Sequence, residues 1–246
     1  MKHRTDRNTH CLSELAKLSE LNLVIARWEA SPKENEIVSA NVTRNHMDII
    51  KFAKEKNLSR VLICEDDIQI VDASALLSKL QRILQSPILW DVLMLGTWVL
   101  NYQKVKDYID IIKINNSWCG HAYIVHQRYY DTIIDMYSII YKNQIINYKD
   151  KLNYDNLWSK YQLRDEWFGI YPTLVSQIDN YSDVYSKDRN LYSKILRLPI
   201  KCKNCDYYTT GLKNYCCKSC KLNEGHKGCH KTIMNLEEYI PKLVSY

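Results

Sequence analysis

The sequence predicts a layered α/β domain over residues 1–198, followed by a small cysteine-rich module over residues 199–246. Three observations carry this. Short continuous apolar runs alternate with segments whose apolar residues recur every three or four positions, the patterns of covered strands and amphipathic helices. Apolar residues make up 46% of the 246-residue chain, enough to fill a core. Six of the nine cysteines fall between Cys202 and Cys229, past a boundary near Leu198-Pro199 where composition turns to Cys, Lys and Gly.

Leu12, Leu15 and Leu18 share one face of a helix over 11–20, and the run Leu23–Ile25 reads as a short strand. Residues 31–38, beginning Ser-Pro, read as a loop. Met47, Ile49, Ile50 and Ala53 predict a helix over 46–56. Val61–Cys64 is an unbroken apolar run that ends in Glu65-Asp66-Asp67, as a central strand does at the C-terminal edge of a covered sheet. Helical spacing returns over 73–85, and Val92–Leu95 is a second buried strand ending at Gly96-Thr97. Residues 108–114 and 121–125 predict two further strands. Helical pattern resumes over 128–141 and near Leu157, and the body closes with Trp167–Tyr171, Pro172 and a polar stretch. Strands alternating with helices predict a sheet that is at least partly parallel.

The formal net charge is +6, of which +4 lies in residues 199–246. A body so close to neutral carries no electrostatic footprint for nucleic acid, which is not expected as a partner. The absence of any ~20-residue apolar stretch argues against a transmembrane segment, and the polar start, Met1 to Arg7, is unlike a signal peptide. A soluble intracellular protein is the expectation.

Three consecutive carboxylates at the end of an apolar strand repel one another unless a cation gathers them. In extended geometry Glu65 and Asp67 project to one side and Asp66 to the other. Two same-side carboxylates suit a hard divalent ion, Mn2+ or Mg2+, which also grips a diphosphate. A solvated acidic turn is the plainer alternative.

With its surroundings, this segment resembles glycosyltransferase family 25, the lipooligosaccharide and procollagen galactosyltransferase group. Four blocks match in order: Arg4-Thr-Asp-Arg7; Asn45-His46, a helix and Val61–Asp67; Ser117 to Val125; and Tyr154-Asp155-Asn156 with Tyr171-Pro-Thr and Ser182-Asp183. The family's first strand has no counterpart ahead of Arg4, Asn45 stands where the family has Ser, and Asn156 replaces a second acid. The resemblance implies a GT-A-like fold with a mixed, mostly parallel sheet. It also implies a UDP-sugar donor, a glycan or protein hydroxyl as acceptor, and inverting transfer of a hexose, with galactose the first candidate. On this reading Glu65 and Asp67 hold the metal. Arg4, Arg7, Asp66, Gly120, His121 and Gln177 are candidate donor contacts. Asp155 is the first candidate for the base, with Asp165 and Glu166 next. The alternative is a catalytically decayed transferase fold that serves as a binding protein through its tail.

The tail reads Cys202-x2-Cys205 and, after ten residues, Cys216-Cys217-x2-Cys220, then His226, Cys229 and His230. Paired Cys-x2-Cys turns about a dozen residues apart match a zinc ribbon. Cys202, Cys205, Cys217 and Cys220 are the expected ligands of a structural Zn2+; Cys216, Cys229, His226 and His230 are candidates to complete a second site or to exchange roles with these, and disulfides are the rival.

Overall fold

The computed structural model describes residues 4–29, 37–146 and 154–178, and the backbone of two short strands at 180–182 and 187–189. The expected zinc ligands Cys202, Cys205, Cys217 and Cys220 lie outside the described residues, as does most of the predicted 31–38 loop.

The described chain is mixed α/β. Helices α1 (Thr5–Ala16) and α2 (Val38–Glu55) precede strand β1 (Arg60–Cys64), the short β2 (Ile68–Ile70) and helix α3 (Ala73–Gln85). A long hairpin follows, β3 (Val92–Lys104) and β4 (Ile111–His126), then α4 (Tyr130–Ile146), α5 (Tyr154–Leu157) and α6 (Ser159–Arg164). Strands β5 (Trp167–Ile170) and β6 (Val175–Gln177) come next, and β7 (Asn180–Ser182) pairs antiparallel with β8 (Lys187–Arg189).

The main sheet runs β1-β4-β3-β5. Two apolar cores sandwich it. On one face Ile50, Ala53, Ile63, Val92, Met94, Tyr123 and Val125 meet Ile133, Tyr137 and Trp158 of the α2, α4 and α5–α6 side. On the other, Leu93, Leu95, Ala122 and Phe168 meet Leu76, Leu77, Leu80 and Ile83 of α3, with Ile68, Ile70 and Val175 of the β2–β6 pair. Asp72 starts α3 by accepting a hydrogen bond from the Ala75 amide at 2.9 Å, a side-chain N-cap.

Several expectations change. Among the described residues the sheet is not mostly parallel: β3–β5 is its one parallel pair, while β1–β4, β3–β4 and β4–β5 are antiparallel. The cause is connection length, because residues 105–110 are too few for a crossover and force β3 and β4 into a hairpin. Strand β1, expected at the centre, is an edge strand among the described residues. Its unbroken apolar run has another source. Ile63 and Val61 pack on the first core, and Leu62 and Cys64 on the second, so both faces are covered without a second neighbouring strand.

The two strands expected at 108–114 and 121–125 are one, β4. Its polar middle, Asn115 to Gly120, hides a continuous backbone bent by register shifts against β3 and by a left-handed Cys119 at φ 66°. Leu23–Ile25 forms no strand: Leu23 packs on the second core while Val24 is 98% exposed. Helix α2 starts eight residues earlier than its apolar spacing suggests, since its buried face is continued by Ala40 and the polar Thr43. Thr43 donates to the Gln144 amide oxygen of α4 at 2.7 Å, which is how a polar residue is buried at little cost. Among the described residues no helix is long and apolar enough to cross a membrane.

Candidate functional site

Strand β1 carries the chain to the acidic turn. One further ladder bond, from the Glu65 amide to the His121 carbonyl at 2.8 Å, extends the β1–β4 pairing past Cys64. The chain then leaves the sheet, and residues 65–67 turn into β2. Glu65 and Asp67 are not the extended pair expected from strand alternation, yet the turn brings them together. The side-chain amide nitrogen of Gln177, at the end of β6, donates to Glu65 Oε2 at 2.9 Å and to Asp67 Oδ1 at 3.1 Å. The NH2 end of the amide faces the pair, which suits a carboxylate, since an ionised carboxylate only accepts. The register that sets Ile68 opposite Gln177 in the β2–β6 pair, with the Ile178 amide on the Asp67 carbonyl at 2.9 Å, puts Gln177 there.

Helix α1 closes one side. Arg7 Nη1 lies 2.8 Å from Asp66 Oδ1 and 3.4 Å from Asp67 Oδ2. The helix is held in place by two polar staples spaced one turn apart. His10 Nε2 contacts the Ile68 carbonyl at 2.7 Å, and buried Glu14 accepts from the Ile70 amide at 2.7 Å. Both engage backbone groups of β2. Arg4, one turn before Arg7, forms a forked pair with its neighbour Asp6.

From the opposite side Tyr154 donates towards Glu65 Oε1 at 3.1 Å, with the Gly120 carbonyl at 3.2 Å as a competing acceptor. Asp155, next along α5, accepts from the Cys119 amide at 2.6 Å. That bond satisfies a donor that the left-handed kink at Cys119 turns out of the ladder. Tyr154 also packs against His46, ring centroids 4.8 Å apart, and His46 Nδ1 bonds the Tyr123 hydroxyl at 2.8 Å.

The electrostatics are those of an acid surplus. Burial first, then the charges of Asp67, Asp155 and Asp66, push the Glu65 carboxyl up to about 8. Burial also raises Asp67, against the opposing pull of Arg7 and Gln177. Burial alone pushes His46 down to about 4, so its ring is neutral at physiological pH. Among the described residues no three His, Cys, Asp or Glu side chains form a ready-made metal cage.

Of the residues singled out from sequence, Glu65, Asp66, Asp67, Arg7, Gln177 and Asp155 therefore meet at one end of the sheet. Four others do not serve as expected. Gly120 leaves no room for a donor: a Cβ there would stand 2.6 Å from Trp158 and 2.8 Å from the Tyr154 hydroxyl, so the glycine admits aromatic packing instead. His121 is fully buried, its Nε2 on the Val175 carbonyl at 3.3 Å and its pKa pushed down to about 4 by burial, so it presents neither charge nor surface to a phosphate. Asp165 and Glu166 precede β5 at the opposite end of the sheet, because β5 runs parallel to β3 and Trp167 sits level with Val92. Strand rise puts them roughly 16 Å from the acidic turn. There Asp165 bonds Arg164 and the Tyr129 hydroxyl, and Lys113 donates to its carbonyl.

Two contributors lie outside the expected set. Tyr154 gives no periodic signal beyond a helix start. Gly96 does give one, as a glycine inside a strand pattern, which often marks a close approach. A Cβ at Gly96 would lie 2.2 Å from His121 Nε2 and 2.6 Å from the Val175 carbonyl, so this glycine lets β6 cross β3 and deliver Gln177. No protein-family model matches the chain, and no curated protein matches it in sequence.

Proposed function

We propose that the chain is a sugar transferase of the GT-A kind, taking a hexose from a UDP-sugar with the help of Mn2+ or Mg2+. The observation that carries the reading is the convergence of Glu65 and Asp67 on a single nitrogen, Gln177 Nε2, amid the further negative charge of Asp66 and Asp155. The donor set fits a hard divalent ion. Such an ion is commonly held by one or two carboxylates, with phosphate and water completing an octahedron, so a third protein ligand is not required. The Gln177 amide stands where the ion would bind and has to swing aside.

When bound, the cation would neutralise charge building on the departing diphosphate. Arg7 reaches over the same turn and supplies a fixed positive charge to the donor's phosphates. Asp155, oriented by the Cys119 amide, is the carboxylate proposed to take the proton of the acceptor hydroxyl. In the tail, Cys202, Cys205, Cys217 and Cys220 are proposed to hold a structural Zn2+.

A second reading draws on Gln177. An amide that already satisfies both carboxylates is what a transferase fold retained only for binding would keep. A thermal-shift screen of UDP-sugars with and without Mn2+ separates the two. A free ligand at ~100 times its Kd adds about 2.7 kcal/mol, a visible shift. A shift that needs Mn2+ supports the enzyme; no shift with any donor leaves the binding protein.

A further inference from the structure

On one side the main sheet ends in an unfinished ladder. Among the described residues β1 pairs with β4 alone. Two bonds fix which of its residues face that neighbour: the Glu65 amide donates to the His121 carbonyl at 2.8 Å, and the Gln127 amide to the Ser59 carbonyl at 2.9 Å. In an antiparallel pair such residues alternate with residues whose N–H and C=O point the other way. Val61 and Ile63 therefore face β4, and Arg60, Leu62 and Cys64 carry the outer edge. Among the described residues no backbone hydrogen bond reaches that edge.

The edge has little of the protection that edge strands usually carry, such as proline, lysine, a bulge or an inward charge. The register of residues 60–64 is unbroken, and the one charge is Arg60, whose guanidinium lies over the Trp90 ring, 5.8 Å from its centroid. Nor is the edge sealed off. Arg60 is exposed, and Val61, Leu62 and Cys64 are only half-buried. Val61 packs towards the first core, and Leu62 and Cys64 towards the second, so a strand added here meets apolar side chains on both faces.

We propose that this edge pairs with the same edge of a second copy of the chain, β1 antiparallel to β1, joining two sheets about a two-fold axis at Leu62. Symmetry and charge both favour a second copy. The outward residues are evenly spaced about Leu62, so the axis opposes Leu62 to Leu62 and Arg60 to Cys64, each opposed pair exchanging two N–H···O=C bonds. The strand is entered from net positive charge, with Lys54, Lys56 and Arg60 against Glu55, and it leaves into Glu65, Asp66 and Asp67. Antiparallel copies lay the basic entry of each beside the acidic exit of the other, whereas parallel copies would set acid beside acid. Such an interface is isologous and closes at two chains. It is built from backbone, so the inference goes beyond the transferase reading and does not depend on it.

The test follows the full chain under reducing conditions, from micromolar to millimolar protein, by size exclusion with light scattering and by amide hydrogen exchange. A dimer is expected. As it forms, the Leu62 and Cys64 amides should exchange more slowly, while those of Val61 and Ile63, bonded to β4 throughout, should hardly change. Leu62→Pro removes only an outward N–H, which an edge strand tolerates, and should abolish the dimer. Arg60→Glu should weaken it roughly tenfold or more. Circular dichroism verifies that each variant is folded. Should Leu62→Pro misfold, Arg60→Glu decides, and wild-type dimerisation in that variant would overturn the pairing. So would a monomer at every concentration, or a dimer that a folded Leu62→Pro retains. Leu62 and Cys64 amides already protected in the monomer would mean that the edge is covered within one chain, and would overturn it as well.

Discussion

The two ends of the main sheet carry acids in opposite electrical circumstances. Where β1 runs out, Glu65 and Asp67 are pushed above their ordinary pKa values by burial and by neighbouring carboxylates, with Arg7 as a counter-charge. Where β5 begins, Asp165 is held below its ordinary value despite partial burial, because Arg164 grips both of its oxygens and the Tyr129 hydroxyl donates to it. Asp91 at that end is likewise paired, with Arg128 at 2.9 Å. Acids that stabilise a fold are neutralised within it, and acids left in surplus are available to a ligand. Asp165, a candidate base from sequence, is thus neutralised within the fold, and it and Glu166 lie at the end of the sheet away from the acidic turn.

The largest effect that would break the contrast concerns activity. Asp67→Ala is expected to lower Mn2+-dependent transfer about a hundredfold or more, a loss typical of removing a group that stabilises developing charge. Asp165→Asn should leave turnover by the folded protein near wild type. Equal losses in steady-state assays of the two variants would erase the distinction between the ends.

Next comes the crossing that delivers Gln177. Gly96→Ala forces a Cβ against the Val175 backbone carbonyl and His121, and should cost about 2–3 kcal/mol by urea unfolding. A neutral outcome would mean that β6 does not cross β3 there.

A pH comparison tests the opposite shifts directly, in EDTA so that no metal intervenes. Glu65 has a raised folded pKa, so its favourable contribution is complete below about 4.5 and is lost as pH rises through about 8. Glu65→Gln should therefore melt a few degrees above wild type at pH 9 and close to it at pH 5, on the order of 1 kcal/mol. Asp165 has a depressed pKa, so its contribution is present above its ordinary 3.8 and is lost as pH falls below that value. Asp165→Asn should lose about 1 kcal/mol at pH 7 and less near pH 3. Parallel pH profiles for the two variants would contradict the assignment.

The smallest effect is expected at the satisfied end. Arg128, whose side chain is 34% exposed, bonds Asp91 from the surface. Arg128→Ala should cost under about 1 kcal/mol and leave donor-dependent melting shifts unchanged.

Much of this was legible residue by residue. The helix over 73–85 and the strand starting at Val92 appear where apolar spacing puts them, and the run into Glu65-Asp66-Asp67 marks the acidic end of a strand. Strand β4 was harder, because Asn115 to Gly120 is polar while its backbone still ladders, and periodicity records side chains, not hydrogen bonds. Helix α2 was half visible for a related reason: Thr43 and His46 are buried through partners 101 and 77 residues away in sequence.

The sequence alone determined the class of fold, the acidic turn and the residue types that line it, since local spacing and composition set these. Tertiary structure decided which acids meet. Gln177 reaches Glu65 across 112 positions, Tyr154 across 89, and Asp155 finds its amide at a kink that no pattern announces. Such contacts arise from strand register and from the space that Gly96 and Gly120 leave open, and a chain read one residue at a time contains neither.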